Sequence, residues 1–215
     1  MTLIVAPAPA GNFVDASAKM TPLLLDALAN RGYLGIIRYV PLPGVDPRAD
    51  VDAAELAMIT AHPARFCSMF VQHPRFPGWK PREHDPEADA RHAAQFARAA
   101  GYPSGVHGFV DAEGMSADTT AAEAHSYNSR FAHVLVEEGY RAGLYDGYSE
   151  PETPEQLYEI HDVDSYWSDM ANRRVATRGT AVVQGPQFAL LGVAFDPDDV
   201  RPDLLGSTPM VVRAA

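Results

Sequence analysis

"DPEADARHAAQFARAAGYPSGVHGFVDAEG", residues 85–114, contains one full unit of a repeating architecture. Asp85 followed by Pro86 is a helix start, because a carboxylate there accepts from the unpaired N–H groups of the first turn and proline needs no partner for a missing N–H. Alanine-rich helical spacing runs from there to Gly101, which supplies the left-handed stop. The next segment, 105–113, is apolar and extended in character, and it ends in two acids one residue apart. In a strand Phe109, Asp111 and Glu113 share one face while Val110 and Ala112 share the other. Such a pair fits either the solvated side of a sheet or the C-terminal mouth of a parallel one, where βα loops collect catalytic groups.

The rest of the chain repeats the unit. Upstream, "GNFVDAS" (11–17) reads as a strand and "TPLLLDALANRG" (21–32) as a helix capped by Thr21 and stopped at Gly32. "LGIIRYV" (34–40) is the next strand, 50–63 the next helix, and "RFCSMFVQH" (65–73) the third strand. A loop with three prolines and one tryptophan, 74–85, then precedes the quoted unit. Downstream lie a long helix (116–139), a fifth strand "YRAGLYDGYS" (140–149) and a short helix from Thr153, whose Thr-x-x-Gln pattern is a capping box. "DVDSYWSDM" (162–170), "TAVVQGP" (180–186) and "LGVAFDPDDV" (191–200) complete eight strands, with little helix between the last three. Alternating β and α units imply a parallel sheet, so the expected fold is an α/β, TIM-like (β/α)8 barrel with its late helices shortened or missing. An open doubly wound sheet is the alternative. One domain is expected over 1–215, with a core of about 13–200 and an untethered apolar tail, "STPMVVRAA" (207–215).

Composition narrows the function. A formal charge of −11 leaves no basic footprint for a nucleic-acid backbone and disfavours anionic membranes, and no run approaches the roughly 18 apolar residues of a membrane span. The N-terminal apolar run has no Lys or Arg before it and does not resemble a secretory signal, so synthesis in the cytoplasm is expected. The single cysteine, Cys67, excludes an internal disulfide and reads as core. His62, His73, His84 and His92 lack ligand spacing, and His107, on the face of Asp111, is expected to pack. The three acids of "DPDDV" (196–200) could bind calcium, but the stretch lacks the glycine and distal glutamate of an EF-hand loop, and an acidic helix start explains it as well. No hydrolase elbow or nucleotide-binding loop is present, and no cofactor or metal is implied.

In a barrel the strand ends converge. They would bring Asp15, Asp111, Glu113 and Asp196 to one mouth, with Asp198 just beyond, and add Arg38, Tyr39, Gln72, Tyr145, Trp167 and Gln184 as substrate-binding groups. Crowded, partly desolvated acids cannot all ionise, and a neutral carboxylic acid beside a carboxylate is the pair that cleaves glycosidic bonds. Aromatic rings and amides suit a sugar's apolar faces and hydroxyls.

The stretches "FVDAS", "GIIRYV", 89–113, "GYRAGLYDGYS" and "VAFDPDD" together resemble the glycoside-hydrolase-like barrels of domain of unknown function 1906, and more distantly the family 25 glycoside hydrolases, the Chalaropsis-type lysozymes. The resemblance implies that Asp15, Asp111, Glu113 and Asp196 line the active site. Glu113 would be the general acid, Asp111 would orient or stabilise the reacting sugar, and peptidoglycan would be the substrate. A phage endolysin or virion-associated enzyme, released to the cell wall or carried on the particle, would have this form. A non-catalytic carbohydrate-binding or virion-structural barrel that retains the cleft is the alternative.

Overall fold

The structure is a computed structural model that describes residues 2–44, 49–169 and 175–215. In chain order the strands are β1 (Leu3–Pro7), β2 (Gly11–Ala16), β3 (Gly35–Val40), β4 (Cys67–Gln72), β5 (His107–Asp111), β6 (Arg141–Asp146), β7 (Val163–Ser168), β8 (Val182–Gln184), β9 (Phe188–Leu190), β10 (Val193–Val200) and β11 (Met210–Ala214). The helices are α1 (Pro22–Asn30), α2 (Ala53–Ala61), α3 (Pro86–Ala100), α4 (Ala121–Glu137) and α5 (Pro154–Tyr158). Their starts follow the sequence punctuation. Thr21, Asp85 and Thr153 cap α1, α3 and α5 through their side chains, and Gly101 closes α3 in the left-handed conformation.

β2 through β8 run parallel and pair in order, and β10 closes the ring between β8 and β2, giving eight barrel strands. All eight expected strands are present, although Met170, the last residue of the sixth, lies outside the described residues. The arrangement departs from (β/α)8 in two ways. β10 is antiparallel to both neighbours, and among the described residues no helix lies between β7 and β8 or between β8 and β10. An antiparallel strand needs no crossover helix, and the short β9–β10 hairpin replaces one. Its Phe188, Leu190, Val193 and Phe195 pack with Leu24, Leu25 and Leu28 of α1 over that flank of the barrel. "DPDDV" is therefore the strand that closes the barrel; it is neither a calcium loop nor a helix start.

The tail is not untethered. β11 pairs along its length with β1 and touches β4 at Val212↔Ser68, below the level where β4 meets β5. The Met210 N–H donates to His107 Nδ1 at 2.6 Å, so the expected packing role of His107 is to hold this ribbon to the base of β5.

The barrel interior is filled below its mouth. Phe13 and Phe109 are buried, and each lies across a glycine of the next strand. A Cβ at Gly35 would sit 2.2 Å from the Phe13 ring, and one at Gly143 2.4 Å from the Phe109 ring, so only glycine admits these rings. Trp167, Ile37, Met69 and Val71 belong to the same core.

Candidate active site

The acids sit above this aromatic floor. Asp15 points inward near the end of β2 and is buried. Its Oδ1 accepts from the Tyr39 hydroxyl at 2.8 Å and its Oδ2 from Gln184 Nε2 at 3.0 Å. Burial, and to a lesser degree the charge of Asp196, raises Asp15 to about 7 despite these donors. Asp111 ends β5, buried, and burial with the nearby Glu113 and Asp15 charges holds it well above the usual carboxylate range. Its Oδ1 accepts the Glu113 backbone N–H at 2.9 Å, which folds the chain into the turn that presents Glu113. The two acids of D-x-E thus differ in kind, one deep and holding the backbone, the other half-buried at the mouth. Glu113 is also raised, first by burial and then by the Asp169 and Asp196 charges.

β10 supplies the fourth acid. Because it runs antiparallel, Asp196 is level with Asp15 and Asp198 is level with Phe13, one layer deeper. A parallel strand would have placed Asp198 outermost; here it is buried, and burial with the Asp15 and Asp196 charges keeps it neutral far above the usual range. Asp196 is half-buried, raised by desolvation, with Gln187 Nε2 at 3.4 Å from its Oδ2.

The structure brings Asp15, Asp111, Glu113, Asp196, Tyr39, Tyr145 and Gln184 together. The Tyr145 hydroxyl lies 2.8 Å from Gln184 Oε1 and 3.1 Å from Glu113 Oε2. Trp167 also points inward, but it lies buried beneath the site, with its ring 4.5 Å from that of Tyr145, and forms floor instead of wall.

Arg38 and Gln72 are not at the mouth. Both alternate with inward residues, Tyr39 and Val71, and so face the helices. Arg38 is fully buried there; its Nε donates to Glu55 Oε1 on α2 at 2.8 Å, and its other nitrogens donate to the carbonyls of Ala16 and Ala49. It is a clamp between β2, α2 and the segment before α2. Gln72 is buried behind the sheet, with no hydrogen-bond partner for its amide among the described residues.

The family model described as "Rv2525c-like, glycoside hydrolase-like domain" matches residues 26–184, most of the chain. The chain belongs to that family. Solved structures share its fold at low identity. An uncharacterised protein of B. stearothermophilus superposes with a TM-score of 0.67 at 17% identity, covering 92% of this chain and 99% of its own. The Tat-secreted protein Rv2525c of Mycobacterium tuberculosis, solved with HEPES, gives 0.63 at 14%, covering 92% and 98%. The catalytic domain of endolysin ply40 from bacteriophage P40 of Listeria monocytogenes gives 0.55 at 12%, covering 91% and 95%. No curated protein matches the sequence. No helix among the described residues is long and apolar enough to cross a membrane.

Sequence reasoning missed the residues that seat Glu113. Trp79, in the loop between β4 and α3, donates its indole N–H to the Glu113 carbonyl at 2.7 Å, and Gly78 N donates to Gly114 O at 2.7 Å. The Arg75 guanidinium covers the Trp79 ring and pairs with Asp89 of α3, which ties this loop to the scaffold. The loop also bounds an apolar hollow of about 580 Å3 with Leu42, Pro43, His73 and the almost fully exposed Phe76. None of the four acids lines that hollow. Gly147 completes the seat, since a Cβ there would fall 2.6 Å from Glu113 Cβ and 2.8 Å from its Oε2. Gly147→Ala should overpack this corner and destabilise the protein by about 1–3 kcal/mol. Denaturant unfolding measures this, and an unchanged midpoint would show that Glu113 moves aside freely.

Proposed function

We propose that this glycoside hydrolase-like barrel is a muramidase-like enzyme that cuts peptidoglycan between its amino sugars. The observation that carries the proposal is the contrast between two carboxyls in one cleft. Glu113 is half-buried at the mouth with its affinity for a proton raised, while Asp15, itself raised to about 7 by burial, is seated by two donors that favour its anion. Glu113 then protonates the departing glycosidic oxygen as the bond to the anomeric carbon breaks, and water adds to that carbon, giving up its proton to a carboxylate of the cleft. Asp15 and Asp196 place negative charge beside the oxocarbenium-like sugar, and Asp111 holds the turn of Glu113 and faces the reacting ring. Tyr39, Tyr145 and Gln184 are the polar groups left to meet sugar hydroxyls. The endolysin catalytic domain among the structural neighbours supports a wall glycan as substrate. Delivery from the cytoplasm by phage lysis, or on a phage particle, belongs to this proposal.

The charge of −11 favours a second function, because wall polymers are often anionic and long-range attraction to them would be missing. That alternative is a carbohydrate-binding or virion-structural barrel that keeps the cleft without turnover. Incubating the protein with purified cell walls of several bacterial types separates the two. New reducing ends and falling turbidity are expected; sedimentation with the walls but no reducing ends from any of them would establish the second.

A further inference from the structure

The Tyr145 hydroxyl has two acceptors within reach and one hydrogen. Burial and the surrounding acids raise Tyr145 and Tyr39 above the ordinary phenol range, so both hydroxyls keep their hydrogen. Gln184 stands between Tyr145 and Asp15 with its amide reaching both, Nε2 to Asp15 and Oε1 to Tyr145. In this orientation the Tyr145 hydrogen is spent on Gln184. The 3.1 Å contact between Tyr145 and Glu113 Oε2 is then a hydrogen bond only when Glu113 brings the proton, while Asp15 accepts at both oxygens and is anionic. Turning the amide over reverses every donor in the chain. A protonated Asp15 would donate to Oε1, Nε2 would donate to Tyr145, and the Tyr145 hydrogen would go to an ionised Glu113. Both arrangements satisfy every hydrogen bond along the Asp15–Gln184–Tyr145–Glu113 chain, and each places one acidic proton in it.

We propose that Gln184 is a positioning residue which, with Tyr145, couples Asp15 to Glu113 so that the two carboxyls share a single proton whose location follows the orientation of the amide. The inference deepens the glycosidase proposal above and rests on it for its meaning in catalysis, because only the form with Glu113 protonated and Asp15 ionised is competent. Other charges bias the balance. Glu113 faces Asp111, Tyr148, Asp169 and Asp196. Asp15 faces Asp111, Asp196 and Asp198.

The test reads protons and needs no turnover. Carboxyl carbon-13 NMR titration of the whole protein should show Asp15 and Glu113 each titrating in two steps with a common pair of midpoints, the behaviour of a coupled pair. Gln184→Met keeps the length but removes both amide contacts, and each carboxyl should then titrate in one step with its own midpoint. Tyr145→Phe breaks the chain from its other end and should uncouple them in the same way, which covers the case in which Gln184→Met fails to fold. Single independent steps in the unmodified protein, or two-step titration surviving in both variants, would overturn the proposal. Coupled titration in a protein that releases no reducing ends would instead retain the coupling and remove the glycosidase function, so the two failures are distinguishable.

Discussion

Glu113→Gln is expected to lower wall hydrolysis by roughly 10²–10⁴-fold, the usual contribution of a general acid, while leaving the fold intact. Two of the hydrogen bonds that seat residue 113 use its backbone. Trp79 bonds its carbonyl and Asp111 accepts its N–H, so neither is lost on exchanging the carboxyl for an amide. Gln cannot supply the proton, and at this half-buried position it costs little desolvation. The pH dependence carries the sign of a group that must be protonated. Because burial raises both carboxyls, activity should rise as Asp15 ionises and fall as Glu113 loses its proton, between two midpoints that belong to the coupled pair and are shifted upward from the ordinary carboxylate range. Initial rates of reducing-end release against pH check both. A Glu113→Gln protein that still hydrolyses walls at the full rate would remove Glu113 from the chemistry.

Glu55→Ala should be the most damaging single change outside the site, costing about 3–5 kcal/mol of folding stability, because it strands a buried cation. Arg38 is fully buried and Glu55 nearly so. The Glu55 Oε1 accepts from Arg38 Nε and from the Met20 N–H, both at 2.8 Å, and the truncation orphans both donors. The pair joins α2 to the end of β2, one residue beyond Asp15, so partial unfolding should begin beside the site. Urea denaturation measures the loss. Arg38→Met combined with Glu55→Leu should recover much of it, since an apolar pair of similar volume pays no desolvation. A single Glu55→Ala loss below about 1 kcal/mol would show that water reaches Arg38.

The barrel was legible because its punctuation is local. Asp85-Pro86, Thr21-Pro22 and Gly101 mark helix ends through contacts within one turn, and all were found where the sequence put them. The direction of β10 was not legible, because alternation of apolar and polar residues reads the same along either strand direction; only pairing with β2 and β8 fixes it, and that pairing sets the depths of Asp196 and Asp198. Arg38 and Gln72 were misplaced for a simpler reason. Each neighbours an inward residue, and side chains one apart on a strand face opposite ways, so proximity to the strand end outweighed parity. The seat of Glu113, made by Trp79 and Gly147, rests on loop contacts over long sequence separations that no local pattern encodes.

The rings of Phe13 and Phe109, locked over Gly35 and Gly143, make the barrel a blind pit. Under the proposed function a glycan strand would lie across the rim, and doing so would cover the mouth through which the buried acids trade hydrogen ions with bulk buffer. The acidity of the medium at the instant of docking would then be trapped beneath the strand until it leaves.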